Sequence, residues 1–384
     1  MLLSVIIVNY NVKYFLEQCL CSVYKAIAYG RASEGHTLTD QVEVWIVDNN
    51  STDGSLEFLR SRFPAVNFLA NDENVGFSRA NNQALSKCQG KYILFLNPDT
   101  ILPENCFQEC ASFMEKHDQA GALGLQMIDG SGKFLPESKR GFPSPWVSFC
   151  KMIGLTKLFP GSRLFGTYYL GHLPNDNEHA VDVLSGAFMW VRKEVLNQIG
   201  GFDERFFMYA EDIDLSYCIQ LAGYINYYLP EPRIIHFKGE STSRDARYVR
   251  LFYTAMILFV EKHYKGLGAF IYKGLLKFII GIKLMATGKK RSLTQAHKYK
   301  PTSAELFGDS DSKEQMKTIV PNGFGIVEGN RVPLIICEGS SFSYRKVINE
   351  VASRGAERLI LVHGSDTGSA VGSDSKNWQG TIIS

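Results

Sequence analysis

Four short apolar runs punctuate the first part of the chain: residues 2–8 (LLSVIIV), 42–47 (VEVWIV), 66–70 (VNFLA) and 91–96 (KYILFL). Rich in β-branched and aromatic side chains and bounded by polar turns, they predict buried strands. Between them apolar residues recur at helical spacing. From Tyr14 to Ala28, Phe15, Leu16, Cys19, Leu20 and Val23 share one face, and residues 55–63 and 78–87 keep the same period. Alternating strands and helices imply a parallel sheet wound by right-handed crossovers.

The rhythm stops at residues 120–180, where Gly, Pro and aromatic residues (GFPSPWVSF, LFPGSRLFGTYYLGHLPND) follow no period and predict a long irregular excursion, a lid or an acceptor wall. Order resumes with strand-like residues 181–184 and 187–191, then a helix over 193–199 stopped by Gly200 and Gly201. A helix follows Glu211, and Tyr224 to Ile235 reads as a further strand. From Arg247 to about Ala286 the chain is apolar with basic punctuation. Treated as one helix from Lys262 to Lys283, it places Lys262, Lys265, Lys273, Lys277 and Lys283 on one side, opposite Leu, Phe and Ile. Lysines interrupt it too often for a spanning helix, and an interfacial one is expected. A polar stretch (GDSDSKEQMK) then leads to a β-α-β pattern at 332–337, 344–353 and 358–362, which cannot cover both faces of its own strands and must dock or belong to something longer.

Composition changes this picture in two places. A hydrophobic content of 45% with 21% charged residues excludes disorder. The net charge of +2 hides an asymmetry, since residues 250–300 hold eleven Lys and Arg against Glu261 alone. That charge favours a membrane surface, and no nucleic acid is expected as a partner. Eight cysteines without paired metal or disulfide spacing fit a reducing, intracellular setting, and the strand-like start, with no basic region before it, predicts no signal peptide.

The candidate chemistry lies where strands end. Acidic residues stand at three such places: Asp48, Asp99, and the cluster Glu211, Asp212 and Asp214. Ligands of open parallel sheets bind beyond the carboxyl ends of the strands, so these loops predict one shared pocket suited to a divalent metal and a nucleotide diphosphate. The first strand-to-helix turn, Asn9-Tyr10-Asn11, lacks glycine, which disfavours a dinucleotide fingerprint; no phosphate-binding GxxxxGK[ST] loop occurs. Ser51 and Asp53 read as turn and capping residues, whereas Asp48 precedes the turn and reads as a ligand contact. Asp99 alone suits a turn as well as a ligand. Three carboxylates at a helix start exceed what the dipole needs, which leaves one as a candidate general base. His236 ends another strand.

Six segments in order, SVIIVNYN, VDNNSTDGS, NVGFSRANNQAL, ILFLNPDT, LSGAFMWVRKEVLNQIGGFDERFFMYAEDIDL and GYINYYLPEPRIIHFKGEST, resemble the family 2 inverting glycosyltransferases, and rhamnosyltransferase-like members in particular, over about residues 3–245. The resemblance implies a GT-A fold: a Rossmann-like mixed, mainly parallel sheet flanked by helices, here with a C-terminal amphipathic helical segment and a small β-α-β appendage. The domains expected are 1–245 for the transferase, 246–300 for a membrane-associating segment, 301–321 for a linker and 322–384 for the appendage, which resembles a Rossmann-like fragment of membrane sugar-phosphate transferases.

The resemblance further implies that Asn9, Tyr10 and Asp48, with Asn49 beside them, hold nucleobase and ribose, and that the segment from Gly76 through Arg79 to Asn82 lines the donor pocket. Ser185, Gly186 and Ala187 lie beneath the donor sugar. Asn97 and Asp99 take the first and last positions of an acidic metal motif, and His236 is a second ligand for Mg2+ or Mn2+. Asp212 is the base, with Glu211 its competitor. The implied reaction transfers a sugar from a nucleotide sugar, dTDP-rhamnose or a UDP-hexose, to a saccharide acceptor, lipid-linked by the charge argument, in cell-surface polysaccharide synthesis. The expected location is cytoplasmic and peripheral on the inner membrane face. Rival readings are a non-catalytic nucleotide-sugar-binding protein and a nucleotidyltransferase; the Glu211-Asp212 pair counts against the first, and the absence of a basic glycine-rich loop after the first strand against the second.

Overall fold

A strand buried at every position must be covered on both faces, and β1 (Leu3–Asn9) is such a strand. The computed structural model describes residues 1–34, 41–238, 246–266, 272–274, 303–319, 332–354, 358–373 and 380–384. After β1 come α1 (Lys13–Glu34), β2 (Val42–Asp48), α2 (Ser55–Arg62), β3 (Asn67–Ala70), α3 (Phe77–Leu85), β4 (Tyr92–Leu96), β5 (Thr100–Ile101), α4 (Cys106–Lys116) and β6 (Ala120–Ile128). Then follow α5 (Pro145–Met152), α6 (Leu155–Leu158), β7 (His179–Val181), β8 (Phe188–Arg192), α7 (Lys193–Ile199), α8 (Glu211–Leu221), β9 (Ile225–His236) and α9 (Ala246–His263).

Strands β3, β2, β1 and β4 are parallel neighbours; β8 then runs antiparallel beside β4, followed by β6, β9 and β5. Helices α1 and α4 cover one face through Leu16, Leu20, Val23, Phe107 and Met114. The other face carries α3, α7 and α8 through Ala80, Ala84, Val195, Leu215 and Ile219. This is the mixed, mainly parallel sheet expected.

Three readings need correction. Residues 120–128, expected to begin the irregular excursion, form the wholly buried strand β6. Its sequence, AGALGLQMI, is poor in β-branched residues because space is short: a Cβ at Gly121 would lie 2.6 Å from Ile219 Cγ2, and one at Gly124 would lie 3.0 Å from Leu184 Cδ2. The single helix assumed from Lys262 to Lys283 is broken: α9 ends at His263, residues 264–266 are not helical, and residues 272–274 are helical again. Lys262 is not part of an interfacial stripe: its Nζ lies 2.8 Å from Asp214 Oδ2 and 3.0 Å from Asp203 Oδ2, while Ala255, Met256 and Phe259 pack α9 on Phe206 and Ile213. Lys273 pairs with Glu261; Lys277 and Lys283 lie outside the described residues.

The third correction concerns residues 301–321. Within the expected linker lie β10 (Glu305–Gly308) and α10 (Ser310–Ile319), which join β11 (Leu334–Cys337), α11 (Tyr344–Arg354), β12 (Ile360–His363), β13 (Ala370–Gly372) and β14 (Thr381–Ile383) in a second sheet ordered β10 to β14. The polar composition that suggested a linker reflects an outer helix of which Ser312 and Met316 are the buried residues. This sheet docks on the first. Val12, Phe15, Cys21, Ile101, Ile235 and Phe237 share one apolar cluster with Leu334, Ile336, Tyr344, Val347 and Val371. The Glu104 carboxylate accepts the backbone N–H groups of Tyr344 and Arg345 at 2.6 and 3.0 Å, so a residue of the first unit caps a helix of the second. All eight cysteines carry free thiols, and among the described residues no helix is long and apolar enough to cross a membrane.

Candidate active site

The carboxyl ends of β1, β2, β4 and β9, together with the turn before β8 and the start of α8, surround a cleft of about 220 Å³. Tyr10, Asn49, Asn97, Ser185, Gly186, Glu211, Asp212 and His236 line it, with Val8, Asn74, Phe77, Pro98, Ala187, Met208 and Tyr209.

Two groups of charge meet at this cleft. On one side β5 and β9 pair at Thr100 and His236, which brings His236 Nε2 to 3.3 Å from Asp99 Oδ1 and 3.4 Å from Asn97 Nδ2. Asp99 and His236 are both buried, at 4% and 7% exposure; His236 lines the cleft and Asp99 stands behind it. A carboxylate oxygen beside an imidazole nitrogen is a donor set that fits Mg2+ or Mn2+ with remaining positions filled by phosphate or water.

On the other side the chain enters α8 through Tyr209 and Ala210, both left-handed at φ 73° and 63°. Two successive non-glycine residues in that region are strained, and the turn aims the next two side chains at the cleft. Asp212 Oδ2 accepts from the Arg140 guanidinium at 2.5 Å and from the Gly186 N–H at 3.2 Å; its Oδ1 accepts from the Ile213 N–H at 2.8 Å. Burial works against the charge of Arg140, yet Asp212 together with Tyr168 and Glu137 holds the guanidinium above its usual range. Glu211 differs. Its Oε2 is sealed from solvent without a hydrogen-bond partner among the described residues, and burial, reinforced by the charge of Asp212, pushes its pKa up to about 8. The third carboxylate of the cluster, Asp214, points away and binds Lys262 and His263 at 2.8 and 2.6 Å, latching α9 to α8. Asp214, Cys218 and His263 lie close enough to share an ion, but the Lys262 ammonium already sits against that carboxylate.

The family profile described as Glycosyl transferase family 2 matches residues 4–200. The chain belongs to glycosyl transferase family 2. Among curated relatives, the N-acetylglucosaminyl-diphospho-decaprenol L-rhamnosyltransferase of Mycobacterium tuberculosis is 28% identical over 237 residues, 59% of this chain and 76% of the relative. Rhamnosyltransferase WbbL of Escherichia coli K12 is 32% identical over 172 residues, 42% of this chain and 61% of the relative. Solved structures that align include the Pyrobaculum calidifontis mannosyltransferase PcManGT with GDP-Man and Mn2+ (17% identity, TM-score 0.46, 74% of this chain and 72% of that one). Another is S. aureus TarS 1–349 (19%, 0.44, 68% and 64%).

Within this family 2 glycosyltransferase, the residues expected at the donor site divide. Tyr10, Asn49, Asn97, Ser185 and Gly186 reach the cleft, whereas Asp48 does not line it. Asp48 Oδ1 accepts from Asn9 Nδ2 at 2.7 Å and Oδ2 from the Ser51 N–H at 2.9 Å, while Asn9 also donates to Ser55 Oγ at 2.8 Å. Asn9 and Asp48 therefore brace the floor from beneath. Gly76 lies one step behind the wall, its carbonyl accepting from Asn49 Nδ2 at 3.2 Å. Arg79 is exposed and outside the lining. Asn82 clamps the turn after α7, donating to Phe202 O at 2.8 Å and accepting from the Phe202 N–H at 3.0 Å, so its amide holds protein rather than donor. Helical spacing explains both positions: Gly76 to Asn82 spans most of two turns, and the first turn, through Phe77, faces the cleft. Ser51 caps no helix; its hydroxyl accepts from Asn9 and from the Asn11 N–H. Arg140, Asn74 and Met208 escaped sequence reasoning. Arg140 sits in the aperiodic excursion, and nothing local in the sequence marks it as Asp212's partner.

Proposed function

We propose that this glycosyltransferase is inverting and metal-assisted, moving a sugar from a nucleotide diphosphate, with dTDP-rhamnose or a UDP-hexose as the donor class, to a hydroxyl of a lipid-linked saccharide. One observation carries the reading: Glu211, Asp212 and His236 line the same cleft, and Asp99 contacts His236 from behind the lining. Asp212 accepts the proton of the acceptor hydroxyl as its oxygen attacks the anomeric carbon, and the bond from that carbon to the diphosphate breaks on the far side. Arg140 and the Gly186 N–H fix the direction of Asp212 Oδ2. Glu211, held up to about 8, keeps its proton at neutral pH and so leaves the base role to its neighbour. A divalent cation held by Asp99 and His236 would supply positive charge against the departing diphosphate.

The lipid-linked acceptor is supported by the mycobacterial relative, named for a diphospho-decaprenol acceptor, and by the basic residues 250–300. Asp212→Asn should retain donor binding, read by calorimetry, and lose about 10²–10⁴-fold in transfer. Wild-type turnover in that variant overturns the assignment. EDTA should abolish transfer in a coupled assay across a panel of nucleotide sugars, and full activity in EDTA removes the metal from the mechanism.

A further inference from the structure

The excursion between β6 and β7 carries a surface that the transfer reaction does not use. Among the described residues, six of the ten exposed large apolar side chains fall between positions 146 and 164: Trp146, Phe149, Ile153, Leu158, Phe159 and Leu164, at 38–71% exposure. Three of them gather around Phe165: Trp146 meets Phe149 and Phe165 at ring distances of 5.9 and 6.2 Å, and Phe159 meets Phe165 at 5.8 Å. Their backbone is prearranged. Gly154, at φ +86°, turns α5 into α6; Thr156 Oγ1 donates to Phe165 O at 2.8 Å, and Trp146 Nε1 donates to Leu164 O at 3.0 Å. A patch of this kind on a monomer calls for a partner.

Charge decides which partner. Residues 139–175 hold Lys139, Arg140, Lys151, Lys157 and Arg163 and not one Asp or Glu. Lys139, Arg140 and Lys151 turn inward, to the carbonyls of Leu170 and Leu173, to Asp212, and to the ring of Tyr168. Lys157 and Arg163 remain exposed beside Leu158, Phe159 and Leu164. Aromatic and leucine side chains rimmed by cations match the acyl boundary and the anionic headgroups of a bilayer. The placement also fits: Tyr272 donates to Ser148 Oγ at 2.6 Å, which joins α5 to the chain entering the basic segment. At its other end the excursion supplies Arg140 to Asp212.

We infer that the α5–α6 hairpin is a docking element for an anionic bilayer, inserting its apolar crown at the headgroup level while Lys157 and Arg163 meet lipid phosphates. Its purpose rests on the reading of a membrane-borne acceptor; its test needs no turnover. The full chain is sedimented with phosphatidylcholine vesicles and with vesicles containing phosphatidylglycerol. Wild type should prefer the anionic vesicles, Leu158→Ser/Phe159→Ser/Leu164→Ser should lose about tenfold or more in partition, and Lys157→Glu/Arg163→Glu should lose the anionic preference. Leu221→Ser/Ile382→Ser, exposed elsewhere, should bind as wild type. Trp146 emission should shift to the blue on adding anionic vesicles, with Trp146→Phe identifying the signal. Wild-type partition in the hairpin variants overturns the inference, as does emission already blue and unmoved by lipid, the result if another part of the chain covers the crown. Donor hydrolysis in detergent should be unchanged in these variants; loss of all transfer by wild type with vesicle binding intact would sink the catalytic reading alone.

Discussion

Glu211 and Asp212 are adjacent in sequence yet differ in chemistry, because only one has a counter-ion. In the unfolded chain Glu211 titrates near its ordinary 4.5, and in the fold near 8. Between those values the folded state holds a proton that the unfolded state lacks, so rising pH withdraws stability across that window. Glu211→Gln should flatten this slope, read as urea midpoints from mildly acidic to alkaline pH, and should keep most of the transfer activity. Arg140 poses the opposite case. Arg140→Ala leaves Asp212 charged in a partly buried site and should cost roughly 3–5 kcal/mol in chemical denaturation, together with transfer activity. The meeting of Asp99 and His236 was legible because each stands where a predicted strand ends, and strand ends share one crevice. Arg140 was not, since its meaning depends on a partner 72 positions away. Asp48 was half legible: its position at a strand end marked the pocket, but its hydrogen bonds to Asn9 and Ser51 could not be read without coordinates.

Helix α3 depends on the glycine before it. Gly76 adopts φ 87° and ψ 171°, a region reserved for glycine, and a Cβ there would stand 2.6 Å from Phe207 O, the carbonyl that accepts the Phe77 N–H at 2.7 Å. Gly76→Ala should therefore destabilise by on the order of 1–3 kcal/mol and weaken donor binding more than turnover, measured as a lower melting temperature and a raised KM. The strands with branched or aromatic runs, β1, β2 and β4, announced themselves. β6 did not, because its small residues serve close packing against α8 and Leu184 rather than strand propensity, and tertiary space overrode local preference. At the end of helix α9 the expectation of an interfacial basic stripe beginning at Lys262 fails, because Lys262 is bound between Asp203 and Asp214.

The two sheets behave as one body across the seam of Phe15, Cys21, Ile101 and Phe237 with Tyr344, Val347 and Val371. Glu17, fully buried, adds an ion pair to Arg62 at 2.8 Å and accepts from Ser369 Oγ. A chain ending near residue 300 should expose that seam and give lower soluble yield with increased binding of a hydrophobic dye; wild-type yield and melting would show that the second sheet is dispensable. The sequence revealed that its strands could not stand alone, though not which surface they would choose, because docking partners leave no periodic trace. Ile235 and Phe237 flank His236 and both belong to the seam. A substitution on the far flank of the molecule can thus displace His236 at the cleft, and geneticists mapping loss-of-function alleles should find a second hotspot there.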